Sequence, residues 1–493
     1  RLGRRSLLAA RSAQGGCVAS APGGSVANWS ELPVSGIFVF HAEEASVFHV
    51  PWDQPVAFAQ SWWWAATATA PCTQRIPVVF GKILSAAVAL RVSHVAENRG
   101  ARDAPPVGLL FSGGLDSTVL AALAAEAIPG QTIELLNVAF DSSAPDRLTA
   151  LCSYEDLVRQ YGSERFRLVL CDVTNQEVLG EELAICRLLG PKATHLDFNI
   201  AAALWFAARG RGLVCSPGVL EASWWPHAKA AEALKSVELE PVKPVEKGTA
   251  DPVPKVPCAR CVLPSKPGCL HQACKLCCRK MRQAAGDPKD WCPVHKVKSQ
   301  AQAGAEAEDE DEGAAQVVST SMSARRCAGD EAPEMRAASR VLLIGTGADE
   351  LLGGYSRHRT ARVKRGAEGT RSEMLKDLQR LWTRNLGRDD RIIADHGREA
   401  RHPFLDDHVL RFVGSLPIDL LAYGPGGEMD PAPDKWMLRE LAVQRGLSTC
   451  ARFKKRAIQF GSRIAKQSNV QHAGSNRQVR GDMAYCALSG EKK

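Results

Sequence analysis

The stretch Gly108–Val119, GLLFSGGLDSTV, constrains this chain of 493 residues more than any other. The apolar run Val107–Phe111 reads as a buried strand. Ser112, Gly113 and Gly114 read as a tight turn, and Asp116–Ala127, rich in Leu and Ala, reads as a helix. A strand apolar on both faces that feeds a helix through glycines belongs to an α/β fold with a parallel sheet. The same turn carries chemistry. Glycine lets backbone N–H groups approach phosphate oxygens with no Cβ in the way. The helix N-terminus adds unpaired donors and a positive dipole. Asp116 offers a hard oxygen to Mg²⁺ on those phosphates, and Ser117 offers a further donor. No Gly-Lys-Ser/Thr follows, so this is not a Walker loop, and the G-x-G-x-x-G of dinucleotide folds is absent.

Strand and helix patterns alternate on both sides of this loop. An amphipathic helix is expected at Val79–Val95, strands at Ile133–Phe140, Phe166–Leu170 and Gly212–Ser216, and helices at Arg147–Tyr161 and His195–Ala208. Prolines 241, 244, 252, 254 and 257 end the pattern, and a further apolar strand, Arg340–Ile344, resumes it. Upstream, the alternation of Ile37 with Val39 and of Phe48 with Val50 predicts two short strands.

Five blocks narrow the reading. The loop resembles the pyrophosphate loop of the N-type ATP pyrophosphatases, an adenine nucleotide alpha-hydrolase-like fold. VLLIGTGADELLGGYSRHR (Val341–Arg359) resembles the G-x-G-x-D-E block of the asparagine synthetases within that group. NLGRDDRIIADHGREARHPFLDD, DKWMLREL and RFKKRAIQFGSRIAK are similar to three later blocks of the same family. The NxGRDDR, DHGxEAR and KRAxQFGSRIAK stretches point to its asparagine synthetase domain-containing subgroup. The resemblance covers about residues 79–231 and 340–466. It implies an ATP site at Leu110, Ser112, Gly113, Gly114, Asp116, Ser117, Val138, Gly345, Thr346 and Gly347. It also implies a Mg²⁺ shared by Asp116 and Asp349, and catalytic roles for Asp349, Glu399 and Lys455, with Lys454 as the alternative to Lys455. Arg391, Asp395, Arg401 and Asp406 would line or buttress the cleft, with Lys435 and Arg439 on a K-x-x-L-R helix. The implied substrates are ATP, aspartate, and ammonia or glutamine. The implied reaction is activation of aspartate as β-aspartyl-AMP.

Three departures keep alternatives open. The family's Cys nucleophile for glutamine hydrolysis is missing from this chain, and residues 1–60 resemble only a remnant of that glutaminase domain. Thr346 stands where the active synthetases carry Glu, and a hydroxyl cannot serve as a base at neutral pH. An insert spans residues 232–339. Within 255–298 it holds Cys258, Cys261, Cys269, Cys274, Cys277, Cys278, Cys292 and His295, a spacing suited to one or two Zn²⁺. An acidic tract at 301–313, expected to be disordered, follows. Non-catalytic nucleotide binding or scaffolding, and tRNA modification with a zinc module, are the other readings these departures allow.

Charge is unevenly placed. The whole chain carries a net +8, and Lys255–Lys298, with ten Lys or Arg and two Asp, accounts for all of it. RNA or an acidic protein surface is the partner such an insert suits. No run of eighteen apolar residues occurs, so no membrane span is expected. A cytoplasmic location follows, with an organelle as the weaker alternative from the Arg-rich, acid-free first fourteen residues. Residues 467–493 read as a loose tail.

Overall fold

A computed structural model describes residues 75–93, 105–189, 193–218, 323–329, 332–425 and 434–473, together with Val95, Tyr485 and the backbone of five N-terminal strands. All fall in one of the two compact units of the chain, Arg1–Leu239 with Val317–Lys493. The cysteines and histidine expected to bind zinc, and the acidic tract, lie outside the described residues.

The N-terminal strands form two small sheets. β1 (Leu8–Ser12), β2 (Gly15–Ala19) and β3 (Ser30–Glu31) make one. β4 (Gly36–His41) and β5 (Ser46–Pro51) make the other, an antiparallel pair with Ile37 opposite Val50 and Val39 opposite Phe48. The alternation in the sequence locates both β4 and β5, whereas β1 and β2 carry no such signal.

The main sheet has seven strands: β6 (Val107–Leu110), β7 (Ile133–Ala139), β8 (Phe166–Asp172), β9 (Arg211–Val214), β10 (Glu334–Arg336), β11 (Val341–Leu343) and β12 (Glu399–Arg401). Their order is β10-β9-β8-β7-β6-β11-β12. β7 is buried at all seven positions because helices cover both faces. On one face pack α1 (Ile76–Val92), α2 (Leu115–Ala127) and α3 (Pro145–Tyr161), joined by Phe80, Leu84, Leu120 and Leu151. On the other lie α4 (Asn175–Leu189) and α5 (His195–Arg209), with Phe198, Phe206 and Ile185 against Leu136, Val138 and Val169.

The sheet departs from the expected all-parallel form at β9, which runs antiparallel to β8. The cause is α4, a helix the sequence pattern does not reveal. One crossover helix returns the chain to the starting end of the sheet, but with two successive helices, α4 and α5, the chain enters β9 from the far end. A capping box of Thr194 and Asp197 starts α5, and Gly210 in the left-handed region (φ 63°) ends it one residue before β9.

The expected loose tail is also corrected in part. A helix runs from Ile464 to Ala473, and Tyr485 is buried, its ring stacked on Phe198 at 4.2 Å between centroids. Among the described residues no helix is long and apolar enough to cross a membrane.

From β6 the chain steps outward through β7, β8 and β9. It then returns to place β11 on the other side of β6. The topological switch point therefore lies between the C-terminal ends of β6 and β11, where open α/β sheets bind ligands.

Candidate functional site

The loop after β6 is held open from below. Gly113 has φ 72°, and a Cβ there would lie 2.2 Å from the backbone nitrogen of Ala150 in α3. Two hydroxyls of α3 fasten the same turn. Thr149 Oγ1 donates to Ser112 O at 2.7 Å, and Ser153 Oγ donates to Gly113 O at 2.7 Å. Gly114, extended at φ −70° and ψ 172°, is the N-cap of α2, so the first amides of α2 face the end of the sheet without a side-chain cap. Ser117 departs from expectation. It is buried, and its hydroxyl donates to Gly114 O at 3.2 Å, bracing the turn from inside.

The loop after β11 mirrors this one. Gly345 sits against Asp116, where a Cβ would come 3.1 Å from that of Asp116. Gly347, at φ 102°, turns the chain into a short helix, Ala348–Leu351, that begins with Asp349 and Glu350 in its first turn. Thr346 is half-buried between the two glycines. Leu110 and Val138 lie at the C-terminal ends of β6 and β7, beside the loop.

Asp116 and Asp349 converge on one cation. The Lys435 ammonium lies 2.7 Å from Asp116 Oδ2, 2.9 Å from its Oδ1, and 2.6 Å from Asp349 Oδ1. The Lys455 ammonium reaches Asp349 Oδ2 at 3.1 Å, whereas Lys454 is exposed. Gly354 forms the floor, since a Cβ there would meet Asp349 Oδ1 at 2.2 Å and Lys435 Cε at 2.4 Å. Lys435 is 4% exposed and has φ 56°, a left-handed conformation that costs a non-glycine residue about 1–2 kcal/mol. Arg439 secures the segments that carry the lysines. It donates to Asp434 Oδ1 at 2.6 Å, to Ala451 O at 2.7 Å and to Phe453 O at 2.9 Å.

The electrostatics follow from this packing. Burial works against the charge of Asp349, but Lys435 and Lys455 outweigh it and hold the carboxyl well below the usual range. Among the described residues Asp116 pairs only with Lys435, and burial and the neighbouring Asp349 raise its pKa. Burial also opposes the charge of Lys435, and the two carboxylates overcome it and raise the ammonium further. Next to them, burial and the Asp349 charge raise Glu350, which accepts a hydrogen bond from Tyr355 Oη at 2.7 Å. The Tyr355 ring lies 5.2 Å below the Lys455 ammonium and 3.8 Å from the Arg357 guanidinium carbon.

The donor set fits Mg²⁺. Asp116 and Asp349 present carboxylate oxygens to one point, where the Lys435 ammonium lies 2.7 Å from Asp116 Oδ2 and 2.6 Å from Asp349 Oδ1. Two carboxylates plus substrate phosphates are a common Mg²⁺ shell. Among the described residues no cluster of three or more His, Cys, Asp or Glu could hold a metal alone.

Glu399 is not part of this cluster. It pairs with Arg401 at 3.0 Å, and its backbone is level with Val341 and Val107, at the end of the sheet away from the loops. The expected catalytic role is withdrawn on that geometry. Arg391 donates to Leu188 O at 2.7 Å, Asp395 accepts from Trp205 Nε1 at 2.7 Å, and Asp406 pairs with Arg91 at 2.9 Å, all in packing roles. Lys435, central in space, was visible in sequence only as the first letter of K-x-x-L-R.

The family model described as Asparagine synthase matches residues 94–174 and 362–460. The first stretch contains the phosphate loop and the second contains Lys435 and Lys455; Asp349 lies between them. Among curated proteins the chain is similar to asparagine synthetase domain-containing protein 1 of Homo sapiens, at 28% identity over 75% of this chain and 47% of that protein. The Mus musculus protein of the same name is 28% identical over 82% of this chain and 54% of its own length. A putative glutamine-hydrolysing asparagine synthetase 1 of Methanocaldococcus jannaschii is 46% identical over 16% of this chain and 15% of that protein. The chain spans about half the length of the first two relatives.

Proposed function

From the match of residues 94–174 and 362–460 to the Asparagine synthase family model, we propose that this chain is an ATP-dependent, amide-forming ligase that activates a carboxylate, with aspartate as the substrate. One observation supports this most: Asp116 and Asp349, from the two loops flanking the switch point, meet at a single cation beside the glycine turn. In this reading the amides of Gly114–Asp116 and the Lys455 ammonium bind phosphate oxygens. Asp116 and Asp349 would hold Mg²⁺, which would supply positive charge to the leaving pyrophosphate. A substrate carboxylate oxygen attacks the α-phosphorus, and pyrophosphate leaves with the bonding pair. Ammonia then attacks the acyl carbon, loses a proton, and AMP departs.

Aspartate-dependent ATP–pyrophosphate exchange tests the first half. Asp349→Asn removes the charge that anchors both lysines and should lower exchange at least about 100-fold. Exchange that persists unchanged in this variant, or a wild type that binds no ATP, overturns the reading.

Thr346 favours a specific refinement, in which adenylation outpaces amidation. A hydroxyl cannot collect the proton that the attacking amine releases. The wild type should therefore exchange pyrophosphate readily yet form asparagine slowly, and Thr346→Glu should raise amide formation about tenfold or more. Product analysis by mass, with ammonium as nitrogen donor, reads this directly. No gain in Thr346→Glu, together with fast wild-type amidation, would refute it.

A further inference from the structure

Lys455 shares its aromatic neighbour with a second cation. Tyr355 follows Gly353 and Gly354, and its hydroxyl donates to Glu350 Oε1 at 2.7 Å, which fixes the ring close to Asp349. The Lys455 ammonium lies 5.2 Å from the ring centroid and the Arg357 guanidinium carbon 3.8 Å from it, both within the range of cation–π attraction. Two like charges from separate segments of the chain are thus gathered on one ring.

Arg357 is not needed to satisfy its acid. Its Nε donates to Asp377 Oδ2 at 2.8 Å, but the buried His358 reaches the same oxygen through Nε2, also at 2.8 Å. Gly366, at φ 67°, breaks the helix Ser356–Leu381, and the second run brings Asp377 back onto both residues. Among the described residues the two terminal nitrogens of Arg357 donate to no protein acceptor, and the side chain is 48% exposed. The guanidinium is therefore oriented by a carboxylate and a ring while its outer donors stay available. Such preorganisation lowers the entropy cost of binding an anion.

We infer that Arg357 and Lys455, set on the Tyr355 ring, form an oxyanion subsite at the edge of the cleft. Lys455 also reaches Asp349 Oδ2 at 3.1 Å, so the bound anion would lie beside the carboxylates proposed to hold Mg²⁺. Granted that the cleft takes ATP and an amino acid, as proposed above, the oxyanion is the terminal phosphate of the nucleotide or the carboxylate that does not react. The planar fork of arginine matches either group with two parallel N–H donors.

Calorimetry on the intact chain in Mg²⁺ tests this with four probes. They are ATP, inorganic pyrophosphate, AMP, and aspartate under saturating α,β-methylene-ATP, which cannot be cleaved between its α- and β-phosphates. Arg357→Gln should weaken one class of probe at least about tenfold, through loss of a charge-assisted contact. A loss confined to ATP and pyrophosphate assigns the subsite to the terminal phosphate, and a loss confined to aspartate assigns it to the free carboxylate. Arg357→Lys, which keeps the charge without the fork, should fall between wild type and Arg357→Gln. Affinities equal to wild type for all four probes overturn the subsite. A uniform loss that includes AMP also overturns it, because that pattern marks a distorted cleft. Binding is read without turnover, so a wild type that binds ATP but exchanges no pyrophosphate removes the ligase reading alone.

Discussion

Lys435→Ala should abolish ATP–pyrophosphate exchange, by at least about 100-fold, and should make the protein's stability depend on Mg²⁺. In the wild type the Lys435 ammonium separates Asp116 from Asp349. Its removal leaves two buried carboxylates facing each other with Lys455 as the remaining contact cation, on Asp349 alone. Breaking a buried ion pair from one side costs about 3–5 kcal/mol. A divalent cation can restore that balance, so thermal melts of the variant should rise markedly with millimolar Mg²⁺ while the wild type moves little. The Asp116 and Asp349 variants cannot show this rescue because they lose the ligands. A Lys435→Ala protein that melts like wild type without Mg²⁺ and still exchanges pyrophosphate would remove the four-group cluster as the working site.

Gly113→Ala should be nearly as severe, through the backbone. The added Cβ meets main-chain atoms of Thr149 and Ala150 at 2.2–2.3 Å, and no side chain can rotate away to relieve it. The positive φ adds its own penalty. Together these cost about 2–5 kcal/mol. The turn must lift off α3, and with it the amides that would meet the phosphates. Nucleotide binding by calorimetry should fall below detection even at temperatures where circular dichroism shows a folded chain. Gly130→Ala is the matched control, because its Cβ would meet nothing within 4 Å although its φ is also positive, at 77°. If both variants bind ATP equally, the close approach to α3 is irrelevant to the site.

Much of this arrangement was legible in the residues. The apolar runs of β6 and β7 are buried on both faces, so they leave an unbroken signal, and the glycines mark where backbone must approach backbone. Other parts were silent for physical reasons. Helix α4 buries only Val178, Ile185 and Cys186 of its fifteen residues and exposes Leu179 and Leu183, so its apolar stripe is blurred and Gly180 interrupts it. Missing that helix reverses the inferred direction of β9. Lys435 looks like a surface lysine because its burial depends on a left-handed backbone and on Gly354, eighty-one positions upstream. Glu399 was misjudged for the opposite reason: a carboxylate within a matching block suggests chemistry, but position along a three-residue strand decides which end of the sheet it occupies.

The reversed strand β9 has one more consequence. Residues 219–322 depart after β9 and rejoin the described fold shortly before β10, and those two strands are hydrogen-bonded neighbours at the rim, with Arg211 opposite Arg336. The seam is three strands removed from the glycine turn. A splice there closes on itself, as a hairpin would. Sequence between the two ends can therefore lengthen, shrink or be exchanged over generations with little disturbance to the register of β6 and β11, the strands that lead into the turns before Asp116 and Asp349.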